Sequence, residues 1–391
     1  MKTDGRGRSL HGQGSGRART RVLVLALDGV GPQAIDAVTT PALWALGQQG
    51  GRAAGGGHAD LPSTTYPGFA ALLTGRHGGR TGASVTGRRG HGVRTTAADG
   101  HAVPGWAGER SVRVPTILHA AHDAGLRAGA VLGDHHLHRV LRLGRLSLWP
   151  PKGRPPRGTS LDAHGYPVNA AVREQALIAT ADGAWDLLFV HLNEVDTLGH
   201  DLGPGHASTV AGLRAADVVV ADLLQAARPG WDRTVVIVVS DHGMDQRLPL
   251  AAIDVAGLVP GPRLDGWIGD GGAAWVRARR PEDQAAIAGI LASAEGIESV
   301  ELHGHRRILA LAAPGRAFAG DDHEGGVHGA RSTARTLAIV GGGHPALEQL
   351  APAVAETTPH LADWAPAIES LLAIRDPGSK GLPTLLEPGA R

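Results

Sequence analysis

Six side chains in this 391-residue chain carry the residue types and the spacing that metal chemistry needs. Asp28 ends the apolar run 21–27 and is followed by Gly29. Asp196 and His200 stand four apart in Val195-Asp196-Thr-Leu-Gly199-His200-Asp201-Leu-Gly203-Pro204, so a helical turn or a compact loop would aim both at one cation. Asp241 and His242 adjoin in Ser240-Asp241-His242-Gly243-Met244, and a turn there would bring both towards one centre. His328 lies on a glycine turn, Gly325-Gly326-Val327-His328-Gly329. Three carboxylates and three imidazoles form a mixed oxygen and nitrogen set. It suits two divalent ions, zinc first, with Mn2+ as the alternative. Two such ions about 3.5–4 Å apart can clamp a phosphoryl group and activate an oxygen nucleophile.

The candidate nucleophiles are the hydroxyls of Leu61-Pro62-Ser63-Thr64-Thr65-Tyr66-Pro67-Gly68-Phe69, just before an expected helix at 67–74. Free backbone N–H groups and the dipole at a helix N-terminus attract an anion. Capping that helix is the alternative role for Ser63, Thr64 or Thr65.

Elements that could position these residues follow from the pattern. Apolar runs at 21–27, 185–192 and 234–240 are long and continuous, as expected of buried parallel strands. Each leads into an acidic turn. Helical stretches fall at 40–49, 169–181 and 206–227, a further strand at 127–132, and a late one at 334–340. Alternating strands and helices predict an α/β fold, a mostly parallel sheet with helices on both faces. Ligands of such sheets bind beyond the carboxyl ends of the strands, where Asp28, Glu194/Asp196 and Asp241/His242 fall. The expected organisation is a disordered basic tail at 1–20 and a core at 21–244 and 326–391. A cap-like insertion is expected at about 76–168 and an inserted lobe at 245–325.

Composition narrows the function classes. The chain has no cysteine, which removes disulfide scaffolds, thiolate zinc sites, Fe–S clusters and cysteine nucleophiles. Net charge is +1, so no overall excess points to nucleic acid or a membrane surface. No apolar run approaches a membrane span and no secretory h-region follows the tail; a cytoplasmic location is the expectation.

These blocks resemble the type I phosphodiesterase/nucleotide pyrophosphatase branch of the alkaline phosphatase superfamily. The resemblance rests on Leu27-Asp28-Gly29, Pro62-x-x-Thr65-Tyr66-Pro67, Leu73-Thr74-Gly75, Asp196-x-x-Gly-His200-x-x-Gly-Pro204, Asp241-His242-Gly243-Met244 and Gly-Val-His328-Gly329, over about 21–345. It implies an alkaline-phosphatase-like core with cap lobes and two Zn2+ sites. One would be formed by Asp28, Asp241 and His242, with Thr65 as nucleophile on that ion. The other would be formed by Asp196, His200 and His328. The implied reaction is hydrolysis of a small-molecule phosphoester, nucleotides included, through a phosphothreonine. A phosphomonoesterase and a phosphonoacetate-type C–P hydrolase are alternatives on the same site. A catalytically inactive protein that binds metal or phosphate is the alternative of a different class. One departure stands out: relatives that cleave nucleotide diesters usually carry Asn, a phosphate-oxygen donor, where this chain has Gly68. Losing one such donor typically costs about 10²–10³ in rate. His323 is an alternative ligand to His328, and Tyr66 a candidate aromatic floor.

Overall fold

A computed structural model describes residues 19–78, 90–93 and 111–374. The expected basic tail, apart from residues 19 and 20, lies outside the described residues, as does most of the weakly patterned stretch before position 111.

Seven strands form the central sheet: β1 (Arg21–Leu27), β2 (Gly51–Arg52), β3 (Ala128–Leu132), β4 (Ser147–Trp149), β5 (Leu187–Leu192), β6 (Thr234–Val239) and, late in the chain, β11 (Ala338–Gly342). Their order is β2-β11-β6-β1-β5-β3-β4. β6, β1, β5, β3 and β4 run parallel, while β11 runs antiparallel to both β6 and β2. The sheet is therefore mixed and mostly parallel, as the pattern of apolar runs predicts.

Side chains alternate across a strand, so β1 feeds two cores. Val22, Val24 and Ala26 face one side, with α2 (Thr65–Thr74), α3 (Ile117–Asp123), α8 (Leu347–Glu356) and α9 (Trp364–Leu371) packed there through Phe69, Leu118, Leu350 and Trp364. Leu23, Leu25 and Leu27 face the other side. There α1 (Pro41–Gln49), α4 (Asn169–Ala181) and α6 (Ala207–Ala226) supply Leu43, Val172 and Leu213. All seven residues of β1 are buried. Two-sided burial explains the unbroken apolar run, since each buried Val or Leu contributes roughly 1.5–3 kcal/mol.

The span 76–168 is not an insertion throughout. β3 and β4 extend the central sheet beyond β5, and residues 129–132 of β3 are buried. β3 is the strand expected at 127–132; that it pairs with β5 and carries β4 beside it depends on contacts with distant segments. Within 245–325 a second, antiparallel sheet forms from β7 (Leu264–Asp270), β8 (Ala273–Ala278), β9 (Ile297–His303) and β10 (Arg307–Ala312), in the order β9-β10-β8-β7. The helix α7 (Asp283–Ala292) packs on it through Ile287 and Leu291. No described helix is long and apolar enough to cross a membrane.

Candidate active site

Three adjacent parallel strands, β6, β1 and β5, deliver the site to one edge of the sheet. Asp28 follows β1, Asp241 and His242 follow β6, and Asn193 links β5 to α5 (Glu194–Leu202). Gly29 lets the chain leave β1 at φ +71°, and a Cβ there would lie 2.7 Å from Asp196 Oδ1. Only glycine permits that approach. Ser240 ties the turn after β6 to the loop after β1, its Oγ donating to the Val30 carbonyl at 2.7 Å.

Two groups of ligand-type side chains result. In the first, His242 Nε2 lies 3.1 Å from Asp241 Oδ2 and 3.6 Å from Asp28 Oδ1, all three side chains being fully buried. In the second, α5 sets Asp196 and His200 one turn apart, with His200 Nε2 3.6 Å from Asp196 Oδ2. His328 Nε2 lies 3.0 Å from His200 Nε2. The groups abut: the His242 and His328 rings stack at 3.8 Å. Donor atoms of Asp196, His242 and His328 also fall within 4.8 Å of one another, so His242 borders both groups. His323 borders the second group, its ring against His200 at 4.1 Å, while the position beside Ser63 belongs to His328.

The three hydroxyls of the nucleophile segment separate cleanly. Ser63 Oγ donates to the Ala330 carbonyl at 2.7 Å and pairs with Thr333 Oγ1 at 2.9 Å. Thr64 is the N-cap residue of α2, yet its hydroxyl makes no capping bond and is buried without a partner. Thr65 Oγ1 lies 3.3 Å from His242 Nε2. The helix begins at Thr65, two residues before the expected start, so this hydroxyl stands in the first turn itself.

Hydrogen bonds to the rings show that these residues fit divalent ions. His242 Nδ1 donates to the Gly243 carbonyl at 2.9 Å, and His328 Nδ1 donates to the Ser63 carbonyl at 3.3 Å. Each bond holds a proton on Nδ1 and turns Nε2 towards the cluster, the usual arrangement of a metal-binding imidazole. Asp28 Oδ1, Asp196 Oδ1 and Asp241 Oδ2 are buried without a hydrogen-bond donor. Buried carboxylate oxygens are costly unless paired or bound to a cation. The 3.0 Å between His200 and His328 Nε2 is close to the edge of about 3.3 Å expected for two ligands on a tetrahedral zinc at roughly 2.0–2.1 Å.

Electrostatics agree. Burial, then the Asp241 and Asp196 carboxylates, hold the Asp28 carboxyl well above its ordinary range. Burial lifts Asp196 to about 6. Burial opposes charge on His242, but Asp241 outweighs it with help from Asp196 and lifts the ring to about 9. Burial pushes His200 down to about 3 and His328 well below the ordinary histidine value, leaving both neutral. Crowded carboxylates beside the neutral His200 and His328 rings are what a cation relieves.

Sequence reasoning missed His191. It sits in β5, fully buried, with Nε2 2.9 Å from Asp28 Oδ2. Its Nδ1 accepts the Asp134 backbone N–H at 3.1 Å, so Nε2 carries the proton and donates to Asp28. That occupies Oδ2 and leaves Oδ1 open. The signal was available: His191 is the one polar residue in Leu-Leu-Phe-Val-His-Leu. Asp134, Tyr166 and Asn193, also missed, share a cavity of about 110 Å³ with Thr65, Asp196, His200 and His328. Burial pushes Asp134 up to about 7. A larger, apolar groove of about 390 Å³ lies behind α5, beside Val30, Leu213 and Met244, and does not reach Thr65.

Gly68 has a packing reason. A Cβ there would lie 2.8 Å from Asp241 Cβ and 3.1 Å from the Asp241 carbonyl oxygen. Position 68 backs α2 onto the Asp241 turn, so it is not an empty seat for a phosphate-binding side chain.

Known structures share this architecture. Human ectonucleotide pyrophosphatase/phosphodiesterase 5 superposes with a TM-score of 0.64 at 16% identity, covering 92% of this chain and 97% of the other. The murine protein, solved as an inactive threonine-to-alanine variant in complex with AMP, gives 0.65 at 17% identity, covering 93% and 97%. At such identity these likenesses show the fold. A curated relative, GPI ethanolamine phosphate transferase 3 of Schizosaccharomyces pombe, is 34% identical over 86 residues, 22% of this chain; the match spans only 9% of that protein's length. Residues 22–316 match the type I phosphodiesterase / nucleotide pyrophosphatase family model, and the chain belongs to that family.

Proposed function

We propose that this protein is a divalent-metal phosphodiesterase or pyrophosphatase acting on small-molecule phosphoesters, nucleotides among them, with Thr65 as the nucleophile. The observation that carries the reading is the Thr65 hydroxyl, 3.3 Å from His242 Nε2, on a cavity wall shared with Asp196, His200 and His328. Asp28, Asp241 and His242 would hold one ion, and Asp196, His200 and His328 the other. Bound there, divalent ions such as Zn2+ supply Lewis-acid polarisation of phosphoryl oxygens and lower the pKa of a nearby hydroxyl. Thr65 attacks phosphorus as the ester bond on the opposite side breaks, and water then cleaves the phosphothreonine. The positive end of the α2 dipole, beside Thr65 in the first turn, favours the phosphoryl anion. Burial of Thr65 limits competing water.

The AMP complex of the murine neighbour supports a nucleotide-type substrate. The cavity of about 110 Å³ is well below the roughly 300–1,000 Å³ that encloses a drug-sized ligand. Among the described residues it takes the phosphoryl part alone, which keeps a phosphomonoesterase as the second reading. The test compares bis-p-nitrophenyl phosphate with p-nitrophenyl phosphate on metal-stripped protein with and without zinc. Zinc-dependent preference for the diester supports the proposal, and preference for the monoester selects the second reading. Thr65→Ala should abolish turnover while the centre still binds metal; full activity in that variant removes Thr65 from its role.

A further inference from the structure

Two further groups of imidazoles and a carboxylate have donor atoms within 4.8 Å of one another: Asp60 with His77 and His360, and Asp201 with His164 and His323. Ring hydrogen bonds separate them. His360 Nδ1 accepts the Ala362 backbone N–H at 3.0 Å, so its proton sits on Nε2, which faces Asp60 at 3.2 Å. A ring so fixed has no lone pair for an ion at that atom. The group is a carboxylate held by imidazole N–H donors.

The second group differs. His164 Nε2 lies 2.7 Å from Asp201 Oδ1, and among the described residues no bond to Nδ1 fixes its tautomer. The proton can move to Nδ1 and leave Nε2 free. The His323 ring nitrogens have no hydrogen-bond partner among the described residues; the ring stacks on His164 at 5.3 Å and 11°. Both rings border the 110 Å³ cavity, and both come from anchored turns. Asp162 accepts the His164 N–H at 3.0 Å and the Thr197 hydroxyl at 2.9 Å, tying that turn to α5. The Arg247 guanidinium donates to the Asp321 carbonyl at 3.1 Å, and the Gly325 N–H donates to the His200 carbonyl at 2.9 Å, tying the other. The imidazoles of His242, His328, His200, His323 and His164 thus form a continuous line from the buried centre to the mouth.

We propose that His164, Asp201 and His323 form a third divalent-cation site at the mouth of the active-site cavity. Two imidazoles and one carboxylate suit zinc, with water completing the shell because Asp201 and His164 are partly exposed. An ion there would cross-link the 162–166 turn, α5 and the 321–325 loop, and so clamp the entrance. The proposal goes beyond the two-centre reading and is independent of the substrate.

The test is zinc titration of the metal-stripped full chain against a chromophoric chelator, with bound zinc counted by atomic emission. The wild type should hold three ions per chain, the third most weakly. His164→Ala/His323→Ala and Asp201→Asn should each hold two, with unchanged far-ultraviolet circular dichroism. Saturation of the wild type at two ions overturns the third site and leaves the two-centre reading standing. Equal counts in wild type and variants also overturn it. Asp241→Ala is the separate control: an unchanged count there sinks the two-centre reading instead.

Discussion

The hydrogen bond from His191 to Asp28 gives the sharpest test of how this site is held. His191 performs two tasks with two atoms: Nδ1 accepts the Asp134 N–H at 3.1 Å, and Nε2 donates to Asp28 Oδ2 at 2.9 Å. Burial pushes the ring down to about 4, so it is neutral and needs no second proton for either task. An amide can imitate one atom at a time. In His191→Asn the side-chain oxygen falls near the Nδ1 position and keeps the Asp134 contact, but nothing reaches Asp28. In His191→Gln the longer amide reaches the Nε2 position and can still donate to Oδ2. A hydrogen bond to a charged group contributes about 1.5–3 kcal/mol. At about 1.4 kcal/mol per tenfold, the Asn variant should bind zinc at the Asp28 centre roughly 10- to 150-fold more weakly. That agrees with the about 10–100-fold usual for outer-shell partners of metal ligands. Chelator competition measures the affinity, and hydrolysis of bis-p-nitrophenyl phosphate at limiting zinc should fall in parallel. The Gln variant should recover most of the loss. Zinc affinity within twofold of wild type in the Asn variant, or equal losses in both, would refute the positioning role.

Two further predictions rest on other parts of the fold. Gly68→Ala forces a Cβ to 2.8 Å from Asp241 Cβ, an overpacking cost of about 1–3 kcal/mol, and should lower both Tm and zinc affinity. Gly289→Ala in α7, where nothing lies within 4 Å, is the matched control and should leave Tm equal or higher; like behaviour of the two would contradict the packing argument. In the Asp60 group, burial opposes the charge, yet bonds from His360 and His77 hold the carboxyl far below its ordinary value. The bond to Asp60 raises His77. A depressed carboxyl stabilises above its unfolded pKa of about 4, and a raised imidazole stabilises below its unfolded pKa of about 6.5. The Tm difference between wild type and Asp60→Asn should therefore peak between about pH 4 and 6.5. It should shrink as pH rises through the raised His77 value, and a flat difference from pH 5 to 9 would contradict the pairing.

Much of this was readable in the sequence because the site sits at strand ends. The runs ending at Asp28 and Ser240 are apolar without interruption, which sets strand, direction and terminus together, and the acidic turn follows by chain order alone. Asp196 and His200 were readable because their spacing matches a helical turn. What the sequence hid depends on registers between distant segments. The role of Gly68 requires knowing that α2 packs on the Asp241 turn. The separation of Ser63, Thr64 and Thr65 depends on Ala330 and Thr333, more than 260 residues away. His191 was an anomaly in an apolar strand, yet its partner becomes visible only once β5 lies beside β1.

The ligand positions also order the assembly of the site in time. Asp28, Thr65, Asp241 and His242 are all made once synthesis passes the end of β6, and β6, β1 and β5 can then pair. The second set lacks His328 until the later lobe and its antiparallel sheet have emerged. β11, the strand that covers the flank of β6, is made after that. One candidate centre thus has its full set of ligand-type residues on a nascent chain while the other still lacks His328, and β11, α8 and α9 have yet to join the core when His328 is made. Zinc stoichiometry measured on chains stalled before and after residue 328 would therefore report folding progress.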